Sequence, residues 1–370
     1  AYASSNLIMS LEYSPVHGRD DLFREARAFQ AKHCADIPVR RDHANGRDPD
    51  RRLRVGYVSP DFKRHPVGFH LLPVLFHHDK SSFEIFCYSD TAVTDELTDE
   101  LISCTDEWRV TVGRTDDEVE QMILADGIDI LVDLTGHTAG NRLRLFARKP
   151  APVQVSWLGY FNTTGLDAMD YLVTDGIAVP AGEEQWFSEK IIRLPDCRFC
   201  YAPPSYAPAV ALAPAVRNGF VTFGSFNNIA KVTGDVISLW SRVLAAVSGS
   251  RLFLKSRSFD SEDVRIRFEE LFHRNGITSD RLELRGSSDH IAMLGEYGEV
   301  DIALDPFPFS GGLTSCEAMW MGVPIITLPG DRPISRQTRG FLRVLKMQEL
   351  VAKNREQYVA IAVEFASDPE

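Results

Sequence analysis

No stretch of this chain is apolar over the ~18–20 residues a bilayer span requires, so a transmembrane helix is not expected. The N-terminus lacks the charged-then-apolar pattern of a secretory signal. It also lacks an initiating Met, and the last helical pattern stops without a capping signal. The sequence is therefore expected to be a processed form or a piece of a longer protein. Cysteine is scarce, with six in 370 residues, which excludes a disulfide scaffold and fits a reducing cytoplasm. Cys197 and Cys200 form a C-x-x-C, but no second pair or suitably spaced histidines follow, so a zinc site is not indicated. No other metal-site pattern stands out, and no metal or cofactor is expected. Surplus positive charge is missing too. The 52 acidic against 40 basic residues leave a net charge of −12, which argues against nucleic acid as a partner. Walker A and G-x-G-x-x-G patterns are both absent, so neither ATP nor a dinucleotide is the expected ligand.

What is present is a double α/β alternation. Residues 1–50 are polar and helical, ending in an exposed linker, "RRDHANGRDPDRR". Strand patterns then run at 53–59, 83–89, 128–134, 152–159 and 169–175, with helical patterns between the first four. "IDILVDL" is nearly all apolar, as in a parallel strand buried on both faces. This delimits a first Rossmann-like domain at 51–205. The Pro- and Ala-rich "YAPPSYAPAVALAPAVRN" reads as a linker, placed at 206–218. A second Rossmann-like domain follows at 219–370, with strands at 220–226, 251–256, 281–286, 300–305 and 323–328. Two such domains make a cleft between facing strand ends, where ligands of open α/β sheets bind.

The chemistry should therefore lie just after strands. "SPDFKRHPVGFH" places His65 before Pro66 in an extended backbone, where an imidazole can serve as acid or base. "TGHTAGNRL" sets His137 between Gly136 and Gly140, and "YFNTTGLDAMD" offers Thr163, Thr164 and Gly165. "NNIAKVTGD" carries Lys231 ahead of a helix, placed to hold a phosphate. The richest stretch is "DPFPFSGGLTSCEAMWMGVP", residues 305–324. Thr314 or Ser315 is expected to cap a helix that ends at Gly322. Its N–H groups and dipole suit an anion without many basic residues. Gly311 and Gly312 would let a diphosphate approach. Glu317, one turn in, can accept hydrogen bonds from ribose hydroxyls. The pattern reads as a cradle for a nucleoside-diphosphate sugar.

At this point the sequence resembles the catalytic region of the O-GlcNAc transferase and SPINDLY family. The matching stretches are "LRVGYVSPDFKRHPVGFHLLPVL", "DILVDLTGHTAGNRL", "RKPAPVQVSWLGYFNTTGLDAMDYLVTD", "SEKIIRLP", "FGSFNNIAKVT" and "VDIALDPFPFSGGLTSCEAMWMGVPIITLPGD", in family order. The resemblance implies a GT-B fold and an inverting, metal-independent sugar transfer to Ser or Thr of proteins. It implies that His65 lies near the acceptor and sugar, positioning the hydroxyl or relaying its proton, and that Lys231 stabilises the departing diphosphate. Asn228, His290, Gly311, Gly312, Leu313, Thr314 and Glu317 would then bind the nucleotide sugar, with His137, Thr163, Thr164 and Gly165 on acceptor- and sugar-side loops. One departure is Gly312-Leu313-Thr314 where animal members read His-Thr-Thr, which leaves more of the diphosphate to backbone and Lys231. The repeats that precede this region in relatives do not appear, and "SNLIMSLEYSP" resembles the segment that follows them. UDP-GlcNAc is the first expectation for the donor. GDP-fucose, used by SPINDLY members, is the alternative, and a non-catalytic nucleotide-sugar binder or an epimerase are the readings from other classes.

Overall fold

The computed structural model describes residues 1–48 and 50–367. Pro49 of the expected linker and the last three residues of the final helical pattern lie outside the described residues. The chain divides into two compact units, Ala1–Ala202 and Pro203–Glu370.

The first unit begins with helices α1 (Tyr2–Tyr13) and α2 (Arg19–His33). It continues through β1 (Leu53–Ser59), α3 (Pro66–His77), β2 (Phe83–Ser89), α4 (Glu96–Ser103), β3 (Glu107–Val110) and α5 (Asp116–Asp126). It closes with β4 (Ile130–Asp133), α6 (Leu143–Ala147), β5 (Val153–Ser156), β6 (Tyr171–Asp175) and β7 (Lys190–Leu194). The seven strands form one parallel sheet in the order β3-β2-β1-β4-β5-β6-β7. Strands β1 and β2 bury their last five residues each, the expected pattern for a sheet covered on both faces. Helix boundaries follow local chemistry. Thr115 and Glu118 form a reciprocal capping box at the start of α5, and Gly127 ends it at φ +60°. The N-terminal helices are part of this unit: α1 buries Ser5, Ile8 and Glu12, and α2 buries Leu22, Ala26 and Phe29.

The second unit comprises α7 (Pro214–Asn218), β8 (Thr222–Ser225), α8 (Gly234–Ala246), β9 (Arg251–Lys255), α9 (Glu262–His273) and β10 (Leu282–Arg285). It continues with α10 (His290–Glu296), β11 (Ile302–Leu304), α11 (Leu313–Trp320), β12 (Ile325–Ile326), α12 (Gln337–Val344) and α13 (Arg355–Ser367). Its sheet is parallel, in the order β10-β9-β8-β11-β12. Phe223, Phe253, Trp240 and Leu304 lie in its core. Each fully buried side chain of this size contributes about 1.5–3 kcal/mol by leaving water.

Both sheets have a switch point. In the first, β1 leads outward to β2 while β4 leads the other way to β5. In the second, β8 leads to β9 while β11 leads to β12. Loops leaving neighbouring strands in opposite directions open a crevice at the strands' C-terminal ends. His65 and His137 follow β1 and β4; Lys231 and the stretch from Asp305 follow β8 and β11. The topology thus brings together loops far apart in sequence.

Candidate functional site

In the second unit the loop after β11 is pinned from beneath. The buried Asp305 carboxylate accepts from the Gly311 N–H at 2.6 Å and from the Thr327 hydroxyl at 2.6 Å. Burial raises its pKa to about 6, opposed by these bonds and by Lys231. Gly311 is packed on its Cβ side: a Cβ there would stand 2.1 Å from Ser315 Oγ. Gly312 does face open space, since a Cβ added to it would find its nearest neighbour, Gln337 Nε2, 3.8 Å away.

Helix α11 begins at Leu313, with Gly312 as its cap residue and no side-chain cap. Thr314 and Ser315 therefore lie inside the first turn and not at the cap, correcting the sequence reading. Their hydroxyls are used sideways: Thr314 Oγ1 donates to Asn227 Oδ1 at 3.2 Å, and Ser315 Oγ pairs with Thr338 Oγ1 at 2.9 Å. An uncapped first turn leaves N–H groups for an incoming acceptor.

Lys231 ends a short 3₁₀ turn, Ile229–Lys231, after β8. Its Nζ donates to Asn227 Oδ1 at 3.1 Å and to the Ser310 carbonyl at 3.0 Å, and stands 4.3 Å from the Phe309 ring centroid. Burial lowers its pKa to about 8, with Asp305 pulling the other way. Asn228 starts the same turn, its Oδ1 accepting from the Ala230 N–H at 3.0 Å. Its exposed side chain borders a cavity of about 860 Å³ that Phe226, Ser256 and Arg257 also line.

Glu317 is 2% exposed, and its Oε1 lies 2.8 Å from His290 Nε2. His290 Nδ1 in turn lies 2.7 Å from the Tyr206 hydroxyl. Burial raises the Glu317 pKa and the His290 contact opposes it. One oxygen of this acid is thus engaged by the imidazole that begins α10, itself a candidate from the sequence.

In the first unit His65 is the N-cap of α3, at φ −144° and ψ 152°, as the following proline requires. Its Nδ1 accepts from the Val67 N–H at 3.3 Å and lies 3.6 Å from Asp61 Oδ2. Accepting at Nδ1 places the proton of the neutral ring on Nε2. Burial lowers the His65 pKa, with Asp61 opposing, which favours the neutral ring near pH 7.

The other candidates in this unit turn inward. His137 is 0% exposed; Nδ1 meets Ser5 Oγ at 3.1 Å and Nε2 meets the Thr164 carbonyl at 2.9 Å. The Thr163 hydroxyl donates to Glu189 at 2.7 Å, and the Thr164 N–H donates to the same carboxylate at 2.7 Å. Gly165 sits at φ +74°, where a Cβ would come 2.2 Å from the Ala26 carbonyl oxygen. These four residues turn into the unit rather than outward: His137 and Gly165 pack against α1 and α2, and Glu189 holds Thr163 and Thr164. Sequence reading missed Asn227, Asp305, Asp61 and Glu189. Asp61 was findable, four residues before His65; Glu189, more than twenty residues from its threonines, was not.

The model of glycosyl transferase family 41 matches residues 33–202 and 215–370. The chain belongs to this family. Among curated relatives, the Petunia hybrida protein named probable UDP-N-acetylglucosamine–peptide N-acetylglucosaminyltransferase SPINDLY is 38% identical over 374 residues, covering 99% of this chain and 40% of that one. The Arabidopsis thaliana protein whose name ends in SEC in place of SPINDLY is 29% identical over 350 residues, covering 90% of this chain and 34% of that one. This family 41 chain thus spans about two-fifths of the length of the curated relatives it matches first. Among solved structures, a point mutant of Thermobaculum terrenum O-GlcNAc transferase matches with a TM-score of 0.95 at 38% identity, covering 99% of this chain and 70% of that one. The fold is the α/β, GT-B class expected from the sequence.

Proposed function

We propose that this family 41 chain is the catalytic part of a protein glycosyltransferase, moving a sugar from a nucleoside-diphosphate donor to a Ser or Thr hydroxyl with inversion. The observation that carries the reading is the second unit's switch point: an ammonium, Lys231, held beside the uncapped N-terminus of α11. Charge builds on the leaving diphosphate as the anomeric C–O bond breaks. Lys231 and the α11 N–H groups offset that charge, and this kind of preorganised stabilisation is usually the largest catalytic contribution. Gly312 leaves room for the phosphates, while Glu317, held by His290, accepts from the ribose. His65 presents Nε2–H and orients the acceptor hydroxyl or the sugar. No metal is assigned a role in this scheme.

UDP-GlcNAc is the proposed donor, supported by the names of the relatives. GDP-fucose is the second reading, favoured by the higher identity to SPINDLY-named proteins, 38% against 29% for the SEC-named one. Calorimetric titration with UDP, GDP and their sugars, with and without EDTA, tests both. EDTA-insensitive binding of UDP and UDP-GlcNAc supports the first, and preference for GDP moves the reading to fucose. Binding that collapses in EDTA refutes the metal-free scheme, and binding of neither nucleotide refutes the donor assignment.

A further inference from the structure

We propose that Asn227, which no motif singled out, is a positioning residue that holds the Lys231 ammonium and the first turn of α11 in one fixed relation; this rests on the donor reading above. Asn227 is 5% exposed and lies two residues beyond the end of β8, so its backbone is anchored by the sheet. Its Oδ1 accepts from two donors at once, Lys231 Nζ at 3.1 Å and Thr314 Oγ1 at 3.2 Å. An ammonium has no acceptor, so the carboxamide must turn its oxygen this way. Nδ2 then faces Ser225 Oγ at 3.4 Å, at the end of the same strand.

One atom therefore ties the switch-point strand β8 to both groups assigned to the diphosphate. The Lys231 ammonium has three N–H donors. Asn227 and the Ser310 carbonyl take two, leaving the third for a ligand in a direction these two contacts define. Without Asn227 the four-carbon stem is free to rotate about its remaining contact, and Thr314 loses its lateral tether. Asp305, from the end of β11, is the charged group acting on Lys231; Asn227 adds an acceptor without adding charge.

The test titrates wild type, Asn227→Ala and Asn227→Asp with UDP and with GDP from pH 6.5 to 10, alongside thermal unfolding. Wild-type affinity should fall as Lys231 loses its proton, with a midpoint at about pH 8. Asn227→Ala should weaken binding about tenfold at pH 7 and move the midpoint down, because a partner of the charged form is gone. Asn227→Asp keeps the size and an acceptor oxygen but adds a charge, so its midpoint should move up even though the anionic ligand binds more weakly. A purely structural asparagine would lower the melting temperature and leave the Asn227→Ala midpoint at the wild-type value; that result overturns the proposal. Should Asn227→Ala not fold, Asn227→Leu, of similar size but with no acceptor oxygen, reads the same midpoint and decides it. If wild type binds neither nucleotide, the donor reading falls and the positioning role with it. If wild type binds and the Asn227→Ala midpoint coincides with its own, only the positioning role falls.

Discussion

Replacing Lys231 with Met removes the ammonium while keeping most of the apolar stem over Phe309. Two consequences follow, with opposite signs. Turnover should collapse, since loss of one preorganised stabiliser of developing charge typically costs ~10²–10³ in rate, or about 2.7–4 kcal/mol. Removing Lys231 also strips the compensating charge from beside the buried Asp305, so the upper end of that range is expected. Folding should not suffer correspondingly. The Lys231 pKa is about 8 in the folded chain against an ordinary 10.5, so the unfolded state binds its proton more tightly. Such a lysine costs stability while charged. The wild type should therefore gain stability relative to Lys231→Met as pH rises from about 8 towards 10.5, above the range in which Asp305 titrates. Donor hydrolysis and peptide transfer read the first effect, and chemical denaturation across pH reads the second. Activity within threefold of wild type would refute the role of Lys231. A stability difference flat across pH 8–10.5 would refute the account of its burial.

The remaining perturbations separate binding from packing. Glu317→Gln keeps the shape but should raise the donor KM about tenfold with kcat little changed, because a charged acceptor for ribose is lost; steady-state kinetics with varied donor check this. His65→Ala should lower kcat/KM by ~10²–10³ while leaving UDP or GDP affinity in titration within twofold, since it serves the sugar or acceptor side. Gly165→Ala should lower the melting temperature by several degrees: φ +74° is unfavourable for Ala, and the new methyl has the Ala26 carbonyl 2.2 Å away. Thermal unfolding followed by circular dichroism reads it.

The double α/β alternation was legible because buried parallel strands are nearly continuous apolar runs: "LRVGYVS" and "FEIFCYS" match β1 and β2 end to end. The strands that escaped, β3 and β7, are the two edges of the seven-stranded sheet. Edge strands are half solvated and carry charge, as in "EWRV" and "KIIRL", so the apolar signal fades where pairing on one side ends. The same contrast governs the site. Lys231 and Glu317 could be named from residue type and place after a strand. Asn227 and Asp305 could not, because their roles depend on which loops share a switch point: Asn227 reaches Thr314, and Asp305 holds Gly311 and Thr327. His137, Thr163 and Thr164 show the converse error. A polar, Gly-flanked loop after a strand looks the same in sequence whether it faces a ligand or a helix. Here Ser5 and Ala26 of α1 and α2, more than a hundred residues upstream, meet His137 and Gly165, and Glu189 holds the two threonines. The consequence for function is specific. The first unit's candidate chemistry narrows to the β1 loop with Asp61 and His65, and most of the remaining polar machinery assigned to the donor rests on β8 and β11 of the second unit.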